Sequence, residues 1–455
     1  MITITLIPVL DYISFFKLLL FVFFMDYKYP WQEKWDNKRR MPEHLLPHAS
    51  EQETLFPLNQ LPGIDRRTTF SFDSVEIGRD AFAGKIPHDI YLRLTNPTIR
   101  ALEDAITIAE ASHLITGVHK EGLPQRLAEA PVKTHVFACG MGAIANTLLS
   151  LLGPGETMIT DDVLYGCTDN LINNELKRWG VDVVETDLSR DETAVRQVFE
   201  QNPGVKVVYF ETPANPNLKL VDIRAVSEIA RDYHAAVIVD NTFATPYLQN
   251  PLRLGADFVI HSLTKYMNGH GDVLGGSVTG PAEFIDSNDP GGSFYSRRLY
   301  GAVMDPHAAV KVMRGAQTLP VRMKRHCDNA EAVVDYLQQH PAVSKVYYPP
   351  LINAEIRQKQ MMRGGGMVAF EIRGSIDEVS ERINRVKQQE VGYIAVSLGL
   401  PYTVFEYPAG MTHYFVDPAA RKAKGITDNL VRVSVGLEDR RMIIDTFEAI
   451  LADPK

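Results

Sequence analysis

The sequence predicts an α/β fold, with a large, mostly parallel sheet followed by a smaller α+β domain. Short apolar runs alternate with amphipathic segments between residues 135 and 260, which is typical of parallel strands joined by helices. Several of these runs end in polar residues, as strands do at a ligand-binding sheet edge. Beyond residue 317 this alternation stops, and 455 residues suffice for two domains.

The first 95 residues precede the predicted sheet and form two segments. Residues 1–25 are strongly apolar, but Asp11 and Lys17 interrupt them, and the uninterrupted part is too short to span a bilayer. We expect translation to begin near Met25, and a membrane-associating leader is the alternative. Residues 26–95 are rich in proline and charge, which predicts an extended arm.

The large domain is predicted to span residues 96–316. A helix is expected from residue 99 to about 111, with Thr98 as its cap. Strands are predicted at residues 135–138, 158–160, 205–210, 235–239 and 257–260. The polar stretch 113–134 contains two glycines and two prolines, so we expect a surface insertion there.

The C-terminal domain is predicted to span residues 317–455. A helix at residues 322–340 should lead into it. Strands are predicted at residues 343–348, 367–372 and 430–435, with a helix at 377–388. Because these helices do not separate parallel strands regularly, an α+β arrangement is favoured over a second parallel sheet.

Chemistry-bearing residues follow two successive strands of the large domain. Asp240 ends one strand, and a Ser-x-Thr-Lys-Tyr string at residues 262–266 follows the next. Pyridoxal phosphate forms an imine with a lysine, and it needs a carboxylate at its ring nitrogen and donors at its phosphate. Lys265 and Asp240 fit the first two requirements, and Ser262 with Thr264 fits the third. A surface lysine and a helix-capping aspartate are the alternative.

The composition argues against several classes of protein. The net charge is -9 and no basic stripe with interleaved aromatic residues occurs, so a nucleic-acid partner is not expected. The three cysteines contain no C-x-x-C pair, so neither a zinc site nor a disulfide framework is indicated. We expect a cytoplasmic enzyme without a metal, and a membrane association is not favoured.

Longer strings make the chain resemble a known family. The Asp-Asn-Thr strand end at residues 240–242, the lysine string and a Gly-His-Gly-Asp string at 269–272 resemble the Cys/Met-metabolism family of pyridoxal-phosphate enzymes, most of all its methionine γ-lyases. The resemblance runs from about Tyr91 to the end of the chain. It implies a PLP-dependent transferase-like fold (fold type I), with Lys265 bonding the cofactor.

The resemblance implies further cofactor contacts in the same subunit. Gly140 and Met141 would donate backbone amides to the phosphate, although an ordinary strand-to-helix turn would have a similar sequence. Asn215 would bond the phenolic oxygen of the cofactor. Tyr165 would stack on its ring and protonate the leaving group.

Tyr91 and Arg93 match a Tyr-x-Arg string that, in the family, reaches the cofactor phosphate of a neighbouring subunit. An arginine fork suits a phosphate dianion, and a surface arginine is the alternative. The resemblance therefore implies at least a dimer, and a homotetramer built from two dimers that share active sites.

The residues expected at the substrate lie in both predicted domains. Arg432 matches the arginine that binds the amino-acid carboxylate, and Ser397 lies in the loop beside the substrate. Cys167 matches the cysteine of methionine γ-lyases. Val396 replaces a glutamate of many cystathionine-using relatives, so a distal ammonium would lack a partner. We therefore expect γ-elimination from L-methionine to 2-oxobutyrate, ammonia and methanethiol.

Two departures from the pattern leave alternatives open. Residues 400–403 read Leu-Pro-Tyr-Thr, and Arg297 with Arg298 stands where methionine γ-lyases have a lysine-aspartate pair. The alternatives in the family are γ-replacement, by an O-acylhomoserine sulfhydrylase or a cystathionine γ-synthase, and cleavage of cystathionine. A non-catalytic scaffold on the same fold is the alternative from another class.

Overall fold

The computed structural model describes residues 61–86, 88–112, 114, 131–412, 414 and 418–453. The predicted leader and residues 26–60 of the predicted arm lie outside these residues, as does most of the predicted insertion. Within the described ranges, no helix has both the length and the apolar character needed to cross a membrane.

The described residues form two sheets with helices around them. The strands are β1 (Val132–Phe137), β2 (Thr157–Asp161), β3 (Asp182–Thr186), β4 (Val205–Glu211), β5 (Ala236–Asp240), β6 (Phe258–His261), β7 (Gly276–Pro281), β8 (Val343–Tyr347), β9 (Met367–Ile372), β10 (Tyr393–Ile394), β11 (Val404–Glu406) and β12 (Leu430–Ser434). The helices before the second sheet are α1 (Val75–Phe82), α2 (Pro97–Ala111), α3 (Gly140–Leu151), α4 (Gly166–Asn170), α5 (Glu192–Gln201), α6 (Ile223–Asp232), α7 (Thr245–Leu248), α8 (Ala282–Ile285), α9 (Ser293–Tyr300), α10 (Pro306–Ala316) and α11 (Leu319–Gln339). The later helices are α12 (Pro349–Ile352), α13 (Ala354–Gln360), α14 (Ile376–Asn384), α15 (Pro418–Ala423) and α16 (Arg440–Leu451).

The seven-stranded sheet has the order β1-β7-β6-β5-β4-β2-β3. Only β7 runs antiparallel to its neighbours, so the prediction of a large, mostly parallel sheet is confirmed. The strands β4, β5 and β6 lie side by side, and their carboxyl ends therefore meet at one edge. That edge is where ligands bind in open α/β sheets.

Apolar side chains of the central strands are buried between helices on the sheet. Val208, Val237 and Val239 are fully buried and cluster with Phe199 of α5 and Ile229 of α6. At ~25 cal/mol per Å² of buried apolar surface, such side chains contribute about 1.5–3 kcal/mol each. The packing holds the carboxyl ends of β4 and β5 in fixed register.

The second sheet has five strands in the order β10-β11-β12-β9-β8 and forms a smaller α+β unit. Its core is a separate cluster in which the Phe447 ring contacts the rings of Phe370 and Phe405 in tilted orientations. The long helix α11 leads from the first sheet to the second. This arrangement confirms the predicted fold class, while the boundary at residue 317 stays a prediction.

Three local expectations differ from the structure. Asn96, not Thr98, caps α2: its Oδ1 accepts hydrogen bonds from the amides of Thr98 and Ile99 at 2.9 and 3.2 Å, and Pro97 has no N–H to satisfy. Residues 132–134 of the predicted surface insertion belong to β1, where Val132 is buried. The predicted extended arm contains the helix α1.

Helix α10 approaches the segment after Lys265 backbone to backbone. A Cβ atom added to Gly315 would lie 2.0 Å from the carbonyl oxygen of Asn268. Gly315→Ala should therefore destabilise the apoprotein by about 1–3 kcal/mol, the usual effect of overpacking. Urea unfolding of the apoprotein measures this change. Gly204→Ala is the matched control, because a Cβ there meets nothing within 4 Å, and equal stability of both variants would contradict the contact.

Candidate active site

Two carboxylates lie side by side where β4 and β5 end. Glu211 and Asp240 are paired in the parallel register of these strands. The Asp240 Oδ1 atom accepts a hydrogen bond from the Thr242 amide at 2.9 Å. The Thr242 hydroxyl in turn accepts one from the Ser262 amide at 2.8 Å. The predicted ring partner and the first residue of the lysine string are thus joined through one threonine.

The Lys265 amine lies in a turn that is fixed at both ends. The Lys265 amide donates to the Ser262 carbonyl at 3.1 Å. Beyond the lysine, the buried Arg322 guanidinium donates to the carbonyl oxygens of Tyr266 and Met267 at 2.8 and 3.3 Å. The Nζ atom of Lys265 donates to the Ser397 hydroxyl at 2.7 Å. This bond connects the first sheet with the loop that precedes β11.

Arg432 contacts two of the predicted residues and one that was not predicted. Its Nη1 atom donates to the Asn215 side-chain oxygen at 2.7 Å, and its Nη2 atom donates to the Ser397 carbonyl at 3.2 Å. Its third neighbour is the buried Glu406 carboxylate, which forms an ion pair with the same guanidinium. The Nε atom is buried without a hydrogen-bond partner among the described residues. A substrate carboxylate would provide an acceptor for such a donor.

Ser397 is held in an uncommon backbone conformation. Its φ is +90°, a value that residues with a Cβ rarely adopt. In this conformation its hydroxyl accepts a hydrogen bond from Lys265, and its carbonyl accepts one from Arg432. Non-glycine residues in such conformations are concentrated at functional sites.

The N-terminus of α3 lies against the lysine string. A Cβ on Gly140 would lie 3.0 Å from Ser262 Cβ, so the helix start and the lysine string are in close contact. The N-cap residue Cys139 makes no side-chain hydrogen bond to the first turn, which leaves first-turn amides, including that of Met141, available for an anion. Thr264 differs: its hydroxyl bonds the Gly275 amide at 3.0 Å. Its predicted phosphate contact stays a prediction.

Tyr165 and Cys167 lie at the start of α4. The Cys167 thiol is 3.5 Å from the Tyr165 hydroxyl, and both side chains are exposed. The thiol and the partial burial together raise the pKa of Tyr165 to about 12. Tyr165 therefore keeps its proton near neutral pH, as a general acid must. Next to this pair, the Thr168 hydroxyl lies 3.7 Å from the sulfur of Met141.

Burial controls the charge of the central groups. Burial, followed by the nearby Arg432 charge, lowers the pKa of Lys265 to about 8. Burial also raises the pKa of Asp240. A cation placed against the Asp240 carboxylate would lower that pKa again and keep the carboxylate ionised.

Tyr91 and Arg93 do not join this group in one chain. No hydrogen bond between described residues connects them to Lys265, and Arg93 instead donates to the Arg298 carbonyl and stacks 5.5 Å from the Tyr91 ring. Arg297 is buried and donates to Glu103. Arg297 therefore links α9 to α2 through this hydrogen bond.

The residues present fit pyridoxal phosphate. Lys265 would bond its aldehyde carbon, Asp240 would face its ring nitrogen, and Asn215 its phenolic oxygen. Gly140, with no Cβ, lets the start of α3 pack against Ser262, so the α3 amides and the Ser262 hydroxyl could hold a phosphate together. The buried Nε atom of Arg432 has no hydrogen-bond partner among the described residues, so it could donate to the carboxylate of an amino acid.

Two site residues were missed from the sequence. Glu211 accepts a hydrogen bond from the Tyr165 amide at 2.8 Å, and Glu406 pairs with Arg432. The position of Glu211 at the end of a strand, one step before a Thr-Pro turn, was a usable signal. Glu406 had none, because its partner is set by the antiparallel register of β11 and β12.

Comparisons with known proteins agree with this geometry. A family model described as "Cys/Met metabolism PLP-dependent enzyme" matches residues 48–452. An L-methionine γ-lyase of Fusobacterium nucleatum subsp. nucleatum is 43% identical over 405 residues, covering 88% of this chain and 95% of that protein. A cystathionine β-lyase of Lactococcus lactis subsp. cremoris is 39% identical over 365 residues, 79% of this chain and 88% of that protein.

Solved structures are similar as well. Cystathionine γ-synthase from Xanthomonas oryzae pv. oryzae, in complex with aminoacrylate and cysteine, superposes with a TM-score of 0.74. It is 32% identical to this chain and the match covers 86% of this chain and 92% of that one.

The lowered pKa of Lys265 makes its amine distinguishable from other lysines in the apoprotein. With a pKa of about 8, about a tenth of the amine is neutral at pH 7, far more than for a lysine near the usual ~10.4. Trace acetylation followed by mass spectrometry should therefore show Lys265 reactivity rising with pH to a midpoint near 8. The exposed Lys345 is the internal reference, and identical profiles for both lysines would contradict the burial effect.

Proposed function

Because this chain belongs to the Cys/Met-metabolism family of PLP-dependent enzymes, we propose that it cleaves L-methionine by γ-elimination. The products are 2-oxobutyrate, ammonia and methanethiol, and one water is consumed. One observation carries the proposal: the Lys265 amine bonds the Ser397 hydroxyl, and the carbonyl of the same serine bonds Arg432. A base and a carboxylate-binding group that are linked in space through a single residue suit an α-amino acid.

Pyridoxal phosphate, the cofactor of this family, supplies an electron sink that makes the α-proton acidic. The chain's own groups do the rest. Arg432 holds the substrate carboxylate, which fixes the α-carbon near Lys265. With a pKa of about 8, the Lys265 amine is partly neutral at pH 7 and accepts the α-proton. A β-proton leaves as well, and its bonding electrons form the Cβ–Cγ double bond as the Cγ–S bond breaks. Tyr165, which retains its proton, donates it to the leaving sulfur.

Methionine is favoured over cystathionine by the residue before Ser397. Val396 is exposed and apolar, and it offers no acceptor to the distal ammonium of cystathionine. The distal ammonium of cystathionine would therefore gain no charge partner from this residue. The 43% identical relative is an L-methionine γ-lyase, which supports the same choice. The β-lyase and the γ-synthase among the similar proteins support cystathionine cleavage or γ-replacement as the alternatives.

The purified protein, supplied with pyridoxal phosphate, should release 2-oxobutyrate and methanethiol from L-methionine. Keto-acid derivatisation and a thiol reagent measure the two products. Lys265→Ala should lose both products and the visible absorbance of the bound cofactor, since the amine that bonds it is gone.

Two results would contradict the proposal. One is release of 2-oxobutyrate from cystathionine with none from methionine. The other is a thioether product from O-acetylhomoserine and added thiol at a rate that exceeds methionine cleavage.

We infer further that the active sites are shared between subunits. Tyr91 is 43% exposed, and Arg93 beside it is also exposed, so both face outward from their own chain. Their match to the family string supports a dimer in which they complete the neighbour's phosphate site. A homotetramer of two such dimers is the proposed assembly. The three cysteines are unpaired, which supports a cytoplasmic location.

Mixing two inactive variants tests the shared site. When Arg93→Ala and Lys265→Ala chains are co-expressed, a mixed dimer should contain one intact site, made from Lys265 of one chain and Arg93 of the other. About a quarter of wild-type activity is expected, since about half of the dimers are mixed and each has one good site.

The matched control combines Lys265→Ala with Arg432→Ala. These residues are linked within one chain through Ser397, so no mixed dimer has an intact site and no activity should return. Equal recovery in both mixtures, or none in either, would contradict the shared site.

A further inference from the structure

The Glu211 carboxyl group is a buried acid that the proposed chemistry does not use. It is only 6% exposed and ends β4 beside the ring partner Asp240. Its Oε1 atom accepts a hydrogen bond from the Tyr165 amide at 2.8 Å. Tyr165 precedes α4 as its N-cap, so this amide lies outside the helical hydrogen bonds.

Glu211 also contacts the turn that follows β4 and carries Asn215. The Asn215 amide hydrogen-bonds the same carboxyl group and partly offsets the rise of its pKa. The carboxyl group thus ties together the segment that carries Tyr165 and the turn that carries Asn215. These segments are about 50 residues apart in the sequence, and no strand pairing joins the residues themselves.

The charge of Glu211 follows from its surroundings. Burial, and then the charge of Asp240, raises the pKa of Glu211 well above its ordinary value. Two buried carboxylates on adjacent strands repel each other, so one of them keeps a proton. The pKa rises further for Glu211 than for Asp240, so Glu211 is the neutral member of the pair. A glutamine would therefore reproduce both its charge and its acceptor oxygen.

We propose that Glu211 is a positioning residue that holds the Tyr165 backbone, and with it the Tyr165 hydroxyl, where the leaving sulfur receives its proton. This inference rests on the proposed function for the identity of the reaction. The hydrogen bond from Glu211 to the Tyr165 amide does not depend on it.

Hydrogen exchange in the apoprotein tests the contact without any catalysis. Loss of a hydrogen bond of about 1–1.5 kcal/mol corresponds to about tenfold faster exchange. The Tyr165 amide should exchange about tenfold faster in Glu211→Ala and at nearly the wild-type rate in Glu211→Gln. Amides of α16 are the internal reference for an intact fold. Unchanged exchange in the alanine variant would overturn the inference.

Kinetics of the loaded enzyme give the second measurement. Glu211→Ala should lower kcat for methionine about tenfold or more with little change of KM, and Glu211→Gln should restore it. A glutamine variant as defective as the alanine variant would overturn the positioning role. If Glu211→Ala does not fold, Glu211→Asp replaces it, because its shorter side chain cannot reach the Tyr165 amide.

The two proposals fail in distinguishable ways. If the wild-type enzyme releases no 2-oxobutyrate from methionine, the proposed function is wrong, yet the exchange of the Tyr165 amide still decides the contact of Glu211. If methionine is cleaved and exchange is unaffected in Glu211→Ala, only the inference about Glu211 is wrong.

Discussion

The rest of the site depends on the hydrogen bonds of the Arg432 guanidinium. Arg432 belongs to the second sheet, and it donates both to Asn215, which follows β4 of the first sheet, and to the carbonyl of Ser397. Only 5% of Arg432 is exposed, and Glu406 neutralises it from the opposite strand. A buried cation without such partners would be strongly destabilising. The arginine is therefore stable only when both sheets are assembled in their present positions.

Burial shifts the pKa values of the two kinds of charged group near this arginine in opposite directions, down for the lysine and up for the carboxyl groups. It favours the neutral form of the Lys265 amine and of the carboxyl groups at the ends of β4 and β5. The same burial therefore leaves the lysine amine partly neutral, so that it can act as a base, and keeps a proton on one of the two carboxyl groups. A cationic cofactor ring beside Asp240 would favour the ionised form of that carboxylate. The carboxylate of an amino acid would pair with the Arg432 guanidinium.

The sequence predicts well whatever is local. Apolar runs and the residues that end them place Asp240 and the lysine string on neighbouring strands, and the structure joins them through Thr242. The antiparallel β7 was not predicted, since its Gly-Ser-Val-Thr-Gly-Pro sequence lacks a clear strand pattern. The cap of α2 was assigned two residues late, because threonine and asparagine are both good caps and only the backbone decides between them.

Contacts between distant parts of the chain were beyond such reasoning. The hydrogen bond from Arg432 to Asn215 joins residues that are 217 positions apart, and the local spacing of apolar residues does not predict such a pairing. Resemblance to a family named both residues, but it did not indicate that they touch. The engagement of Thr264 with Gly275, and the pairing of Arg297 with Glu103, likewise depend on packing that only the folded chain defines.

The anchoring of the lysine turn by Arg322 has a mechanical consequence. Arg322 belongs to the first turn of α11, the helix that continues into the second unit, and it grips the carbonyls of Tyr266 and Met267. His326 of the same helix hydrogen-bonds the Val435 carbonyl, directly after the strand that carries Arg432. One helix therefore holds the backbone on both sides of the gap between the Lys265 amine and the Arg432 guanidinium, and a change in the length of this gap would require that helix to move.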